Sequence, residues 1–257
     1  MKKTFILAIA GTLCIVGYFV WKKESPFGSL NPINSSQSTQ SPDNSSRVTN
    51  PKYPVPSPAP SEKPVPKIEE SDSNIQKETS EFFGNAKLED VLIFQNFIRN
   101  FVVTIENATG KKIPVAKSPV KTAPGKFAVF KSGEDYVLSA KNFKRYRIYM
   151  ELVQRANLKN IVAYYRRVYP LFQSAYQELG TQGYFNDKVI EVIDQILSVP
   201  DAKDPIHLKK VNLEYQFADQ KLESLSAVQK ILLRMGPKNA DLLKAKFKEL
   251  RQLLIEK

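Results

Sequence analysis

Three carboxylates between residues 187 and 194 have the spacing that most suggests chemistry. Asp187, Glu191 and Asp194 lie four and then three residues apart, so a helix would place all three on one face. Carboxylates grouped in this way can hold a hard cation or act as acid and base. Apolar residues occupy the other side of the same segment. The pattern therefore favours a solvated helix face over a metal or catalytic site.

The chain has a single histidine and a single cysteine. His207 follows Asp204 in the segment DPIHL, and a histidine near a carboxylate could serve a serine nucleophile as general base. The nucleophile turn GxSxG does not occur, and Cys14 lies in an apolar run near the start. These counts exclude Cys/His zinc patterns, haem attachment and a catalytic cysteine in the folded part. We predict no catalytic residue, no metal and no cofactor.

Positive charge is concentrated in one stretch of the chain. Lys and Arg number 38 against 26 Asp and Glu, a formal net charge of +12. Between Thr109 and Arg147, ten basic residues are opposed only by Glu134 and Asp135. Such a stretch attracts anions. We call residues 111–131 the basic loop, and its lysines form the predicted partner-binding set: Lys111, Lys112, Lys117, Lys121, Lys126 and Lys131.

Several partners fit a basic surface of this kind. Anionic lipid headgroups, cell-wall polymers and an acidic protein face would each be attracted, and a basic exported protein could also use this charge for solubility alone. Nucleic acid is an alternative, because KNFKRYRIY (141–149) and YYRRVY (164–169) interleave basic and aromatic residues. Aromatics at helical spacing are more often core residues, so the sequence favours the other partners.

The segment from Thr4 to Trp21 carries no charged residue. As a helix its 18 residues would span about 27 Å, close to the roughly 30 Å of a bilayer core, which predicts a single-pass transmembrane anchor. A cleaved secretory signal begins similarly, but here the run ends in the bulky residues GYFVW. Lysines flank both ends, and the terminal amine adds charge to residues 1–3. We therefore expect a cytoplasmic tail and an extracytoplasmic remainder.

Residues 22–80 have the composition of a linker. Ten of the 17 prolines lie between Pro26 and Pro66, among serine-rich polar runs. Such a segment cannot bury enough apolar surface to offset its ordering entropy, so we expect a disordered spacer that is extended where proline is frequent. PxxP-like spacing could also dock into an aromatic groove, although a spacer is the commoner role.

Residues 81–257 are long enough for one domain with its own core. Apolar residues recur at helical spacing from Leu88 to Ile105, which predicts one or two helices ended by the residues NATG at 107–110. Residues 126–130 and 136–139 alternate about a turn in which Gly133 supplies a positive φ. This pattern predicts a β-hairpin.

The second half of the domain has a helical pattern. Ser139 and Asn157 are predicted to cap successive helices. The helix after Asn157 carries apolar and aromatic residues on one stripe over 158–180 and is the predicted central helix, which Pro170 should kink or break. Asn186 is predicted to cap the helix that follows.

The last segments have the clearest capping signals. Val211 to Phe217 predicts a short strand, and Ser226 with Gln229 forms a capping box before the run KILLRM. Gly236 should end that helix and Pro237 should begin the last one. The predicted fold class is mainly α with a small β-hairpin (α+β), a single globular domain behind an N-terminal transmembrane helix.

Five motifs resemble a known bacterial family, the domain of unknown function 3014. They recur in the same order and the resemblance covers roughly residues 80 to 256. The motifs are SPVKTAPGKF (118–127), YYRRVYPLFQSAYQELG (164–180), YFNDKVIEVID (184–194), YQFAD (215–219) and LSAVQKILLRMGPKNA (225–240). The resemblance implies a single-pass envelope protein with a proline-rich linker, and it transfers no activity and no catalytic residue.

These observations favour a binding protein over an enzyme. The sequence predicts a tail (1–3), an anchor (4–21), a linker (22–80) and a globular domain (81–257). It places that domain in the periplasm, tethered to the inner membrane, where the basic loop contacts an envelope protein or an anionic envelope surface. The alternative is a hydrolase acting on a cell-wall polymer. Oligomeric state does not follow from these patterns.

Overall fold

The computed structural model describes residues 50–56, 64–83, 88–202 and 204–256. Among these residues, none of the helices has both the length and the apolar character needed to cross a bilayer. The predicted cytoplasmic tail and the predicted anchor from Thr4 to Trp21 lie outside the described residues.

Within the described ranges the chain forms nine α-helices and four short strands, with 3-10 turns between them. The helices are α1 Ser71–Phe83, α2 Phe97–Ala108, α3 Lys141–Arg145, α4 Arg147–Arg155, α5 Leu158–Glu178, α6 Phe185–Leu197, α7 Gln220–Glu223, α8 Ala227–Met235 and α9 Pro237–Ile255. The strands are β1 Val129–Ser132, β2 Asp135–Leu138, β3 His207–Val211 and β4 Glu214–Phe217. The fold is mainly helical with a small antiparallel sheet, as predicted.

The core lies between four helices. Helices α2 and α9 each pack against both α5 and α6. At the centre, the rings of Phe172 and Phe185 stack with centroids 5.7 Å apart, and the Phe101 ring meets Phe172 edge-on at 5.4 Å. These three buried rings, one from each of α2, α5 and α6, fix the mutual positions of the helices.

Helix α5 is the central helix that the sequence predicts. Asn157 caps it by accepting a hydrogen bond from the Asn160 N–H at 3.3 Å, which confirms the predicted cap. The helix continues through Pro170 to Glu178, so the proline does not break it. The predicted apolar stripe is buried up to Tyr176, where packing against α2 and α6 compensates for the lost backbone hydrogen bond.

The sheet is larger than the predicted hairpin. Strands β1 and β2 pair about Gly133, whose φ is 64°, and this confirms the first hairpin. The predicted strand from Val211 to Phe217 is instead part of another hairpin: it contains the last residue of β3, the turn at Asn212 with φ 56°, and β4. Because β2 also pairs with β3, the four strands form one antiparallel sheet in the order β1-β2-β3-β4.

The outer edge of β4 is closed by side chains. Hydrogen bonds alternate along an edge strand, so Tyr215 and Phe217 direct their backbone groups outward. The carboxylate of Glu223 accepts from the Phe217 N–H at 2.9 Å, and the guanidinium of Arg234 donates to the Tyr215 carbonyl at 2.9 Å. Arg234 also stacks on the Phe217 ring, and burial lowers the pKa of its guanidinium. The sheet is thereby connected to α7 through Glu223 and to α8 through Arg234.

Helix caps agree with the sequence in part. The capping box of Ser226 and Gln229 is present, Gly236 ends α8 and Pro237 begins α9, as predicted. Ser139 accepts from the Lys141 N–H at 3.3 Å, but the single predicted helix is divided into α3 and α4 at Tyr146.

The fold also begins earlier than the sequence suggests. The sequence places residues 71–80 in the linker, whereas the structure places them in α1, with Ile75 and Thr79 buried. The carboxylate of Asp72 accepts from the Asn96 and Phe97 N–H groups at 2.6 and 2.9 Å and so satisfies the start of α2. The ordered linker residues therefore complete a neighbouring helix.

Candidate functional site

All six lysines of the basic loop are exposed in the structure. Two follow the end of α2, two bracket the buried segment 118–120, one precedes β1 and one lies on β1. In this order they are Lys111, Lys112, Lys117, Lys121, Lys126 and Lys131. The loop therefore presents positive charge along its whole length.

The middle of the basic loop is fastened to the domain through its backbone. Residues 91–93 and 119–121 exchange two backbone hydrogen bonds of 2.7 and 2.8 Å. The hydroxyl of Thr104, in α2, shares its single proton between the carbonyl of Asn100 at 2.8 Å and the carbonyl of Lys117 at 3.2 Å. Lys117 and Lys121 thus have fixed backbones and solvated side chains.

Two side chains from α3 and α4 hold the next part of the loop. The guanidinium of Arg145 donates to the three successive carbonyls of residues 123–125 at 2.8 to 3.1 Å. The hydroxyl of Tyr149 donates to the Lys121 carbonyl at 3.0 Å. Burial lowers the pKa of Arg145 and raises the pKa of Tyr149 to about 12. The raised pKa keeps the Tyr149 hydroxyl protonated, and therefore a hydrogen-bond donor, at neutral pH.

Asn142 sets the start of β1. Its side chain is fully buried, accepts from the Ala128 N–H at 2.9 Å and donates to the Ala128 and Ser139 carbonyls. Arg145 also donates to the Asn142 side-chain oxygen at 3.3 Å. The two residues therefore form one hydrogen-bonded unit beneath the loop.

The charges of the loop have few internal partners. Within the described ranges no ion pair joins any of its six lysines to a carboxylate. Lys111 donates to the Ser224 carbonyl, which leaves its charge uncompensated. The ammonium groups are therefore available to an external anion.

The three carboxylates of α6, which we call the acidic row, behave differently; they are Asp187, Glu191 and Asp194. The carboxylate of Asp187 accepts from two successive backbone N–H groups of the linker, Lys52 at 3.0 Å and Tyr53 at 2.8 Å. Asp187 lies in the first turn of α6, where a negative charge is stabilised by the helix dipole. The predicted solvated face is therefore wrong at this residue.

The other two carboxylates of the row have cationic partners. Asp194 accepts from Arg251 of α9 through both oxygens, at 2.5 and 3.3 Å. Glu191 is exposed and forms an ion pair with Lys188 at 3.1 Å. Among the described residues, no group of three or more His, Cys, Asp or Glu side chains could hold a metal ion.

Asn186 has a different role from the predicted helix cap. Helix α6 begins at Phe185, with Tyr184 at the capping position. The Asn186 side chain is fully buried, accepts from the Tyr165 hydroxyl at 3.2 Å and donates to the Tyr53 carbonyl at 2.9 Å. It therefore connects the linker to the central helix.

The linker segment also makes aromatic contacts. Tyr53 is partly buried against the core. The guanidinium of Arg251 lies 5.9 Å from the Tyr53 ring centroid, and the ammonium of Lys52 lies 5.2 Å from it. Asp194 binds Arg251, so the acidic row supports the contact between Arg251 and Tyr53. The same row accepts the backbone hydrogen bonds of the linker through Asp187.

His207 lies in a strand rather than in a loop. It begins β3, is exposed and is paired with Val137 of β2. Its backbone carbonyl accepts from the Ala218 N–H at 2.9 Å. These contacts give His207 a place in the sheet and bring no catalytic group to it.

Sequence reasoning missed Tyr53, Asn186 and Arg251 as a group. One signal was available: Pro51 and Pro54 bracket Lys52 and Tyr53, which suits a short extended segment with two adjacent N–H donors. The contact partners lie more than 130 residues away, so periodicity could not have paired them.

The comparison with known proteins bears on the domain alone. Neither a curated protein nor a solved structure is significantly similar to the chain. A family model described as a protein of unknown function (DUF3014) matches residues 97–251, which include the basic loop, α6 and Arg251. The predicted resemblance is thus confirmed, and the chain belongs to this family.

Proposed function

We propose that this chain is a membrane-tethered binding or scaffold protein of the bacterial envelope. In this proposal, the segment from Thr4 to Trp21 is a single pass through the inner membrane, and the domain lies in the periplasm. The basic loop makes the first contact with an envelope protein that has an acidic face or with an anionic envelope surface.

One observation carries the proposal. The backbone of the basic loop is held by Thr104, Arg145 and Tyr149, while its lysines remain in solvent. A surface that is ordered before binding loses less conformational entropy when a partner arrives. At about 1 kcal/mol for each basic residue near an anionic surface, half of the six lysines would give useful and salt-sensitive adhesion.

Charge reversal in the basic loop tests the proposal. The full-length chain carrying Lys117→Glu and Lys121→Glu is compared with the wild type for the envelope protein and phospholipid that it captures from solubilised envelopes. A matched control carries Lys238→Glu and Lys248→Glu, two exposed lysines of α9. Both variants change the net charge equally.

We expect the loop variant to lose most of its capture at low salt and the α9 variant to retain it. Wild-type capture should also weaken at about 0.5 M salt, where exposed charges are screened beyond a few ångströms. Equal capture by both variants would contradict the proposal. Thermal unfolding midpoints close to that of the wild type would show that each variant remains folded.

A further inference from the structure

The linker segment 50–56 is bound to the domain like a peptide ligand. Pro51 and Pro54 have no N–H, so Lys52 and Tyr53 carry the only backbone donors from residue 51 to residue 54. Both donors meet the two oxygens of Asp187, at 3.0 and 2.8 Å. Within residues 51–54, the two backbone donors are therefore matched one to one by the two carboxylate oxygens of Asp187.

The site has a fixed polarity. The Tyr165 hydroxyl is buried and donates to the side-chain oxygen of Asn186 at 3.2 Å. This leaves the amide nitrogen of Asn186 facing the linker, where it donates to the Tyr53 carbonyl at 2.9 Å. Asp187 thus accepts two N–H groups and Asn186 donates to the next carbonyl, a pattern that specifies the direction of an extended peptide.

A side-chain contact adds selectivity for an aromatic residue. Arg251 lies 5.9 Å from the Tyr53 ring centroid and is held by both oxygens of Asp194. A guanidinium near the face of an aromatic ring is favourable, more so when it is oriented in advance. The ring at position 53 therefore meets a cation that is already in place.

Proline also lowers the entropic cost of this binding. Proline fixes its own φ, and Pro54 restricts Tyr53 before it to extended conformations. A segment that is extended before it binds loses less freedom on docking, as in other proline-rich recognition segments.

We propose that Asn186, Asp187 and Arg251 form a binding site for an extended peptide of four residues. The first and fourth residues of this peptide are proline, the second and third carry backbone N–H groups, and the third is aromatic. Residues 50–56 occupy this site as an intramolecular ligand. The three site residues lie inside the family-matched region 97–251, whereas the ligand lies in the linker outside it. The proposal does not depend on the proposed envelope function, because it concerns only contacts within the chain.

Hydrogen exchange in the full-length chain tests the intramolecular half of the proposal. In the wild type, the backbone amides of Lys52 and Tyr53 should exchange at least about tenfold more slowly than in Asp187→Asn. The Asn side chain replaces one acceptor oxygen of Asp187 with an NH2 donor, which cannot accept from a linker N–H group. Glu191→Gln, one turn further along α6, is the matched control and should leave both amides protected. Equal exchange of these amides in the wild type and in Asp187→Asn would overturn the proposal.

A peptide added in trans tests recognition. A fluorescent peptide of residues 50–56 (NPKYPVP) is titrated into the full-length Tyr53→Ala variant, whose own segment should leave the site readily. We expect the peptide to bind this variant saturably. Its binding to the wild type should be at least about tenfold weaker, because the tethered segment of the wild type competes for the site at a high effective concentration. Adding Asp187→Asn to Tyr53→Ala should abolish the binding. Absence of binding to Tyr53→Ala, or binding that Asp187→Asn does not weaken, would overturn the proposal.

Discussion

The basic loop and the acidic row of α6 use their charges in opposite ways. The loop has its backbone fixed by Arg145 and Tyr149 while its lysines point into solvent without carboxylate partners among the described residues. In the acidic row, Asp187 binds the linker backbone and Asp194 holds Arg251. One region directs its charge outward, and the other uses its charge within the chain.

This difference shows that charge density alone does not identify a binding surface. Both regions are charged stretches in the sequence, and both contain groups that could meet a ligand. What separates them is the supply of partners. Helix α6 faces a linker with matched N–H donors and an arginine from α9. The residues that support the loop donate instead to its backbone carbonyls, and no described carboxylate pairs with its lysine side chains. Of the two regions, it is therefore the basic loop whose charges remain available to an external partner.

The largest effect is expected from alkaline pH, which ionises buried tyrosines that support both regions. Burial raises the pKa of Tyr149, beneath the loop, to about 12 and holds the pKa of Tyr165, behind Asn186, well above its ordinary value of 10.0. The folded state therefore retains these phenolic protons more strongly than the unfolded chain. The contribution of these two tyrosines to the free energy of unfolding should be constant with pH up to about 10 and then fall toward 12.

Chemical denaturation followed at a series of alkaline pH values measures this loss, and absorbance of the phenolate reports tyrosine ionisation. The part of the absorbance change that comes from the buried tyrosines should coincide with the loss of structure above pH 10. Ionisation of all eleven tyrosines near pH 10 without loss of structure would contradict the assigned burial.

The next effect should be confined to the basic loop. Arg145→Ala removes the donor to three carbonyls and should lower the free energy of unfolding by about 2 kcal/mol. Amides of residues 123–128 should exchange faster, while those of Lys52 and Tyr53 stay protected. Arg147→Ala is the control, because its side chain is 84% exposed and its pairing with Glu151 spans 3.9 Å, so its effect should be within about 0.5 kcal/mol. Equal losses from the two variants would remove Arg145 as the support of the loop.

The smallest effect should be confined to the linker site. Tyr165→Phe deletes the hydroxyl that orients Asn186 and should cost about 1 kcal/mol. Protection of the Lys52 and Tyr53 amides should weaken, whereas the loop should not change. Tyr184→Phe, near the start of α6, serves as the control with a stability close to that of the wild type. Unchanged protection in Tyr165→Phe would show that Asn186 is oriented by other contacts.

Local signals in the sequence predicted much of the fold. The cap at Asn157, the capping box at Ser226 and the turn at Gly133 each depend on a few adjacent residues, and all three occur in the structure. The hairpin at Asn212 was missed because Asn in a left-handed turn is a weaker signal than Gly. Helix α1 was missed because its apolar face is sparse and its packing against α2 is a tertiary contact.

In the candidate sites too, the features that depend on single residues could be predicted, and those that depend on distant contacts could not. The exposed lysines could be predicted, because exposure is the usual state of lysine. Their supporting residues could not, since Arg145 reaches carbonyls about 20 residues away. The role of Asp187 was missed for a related reason: its partners are backbone N–H groups in the linker, which leave no side-chain pattern in the sequence.

Photocrosslinking in cells tests the central contrast most directly. A photoreactive amino acid is placed at position 117 of the basic loop in one full-length protein and at position 55 of the docked segment in another. The contrast predicts products between the chain and an envelope component from position 117, and products within the chain alone from position 55. Crosslinks to other molecules from position 55, together with none from position 117, would contradict it.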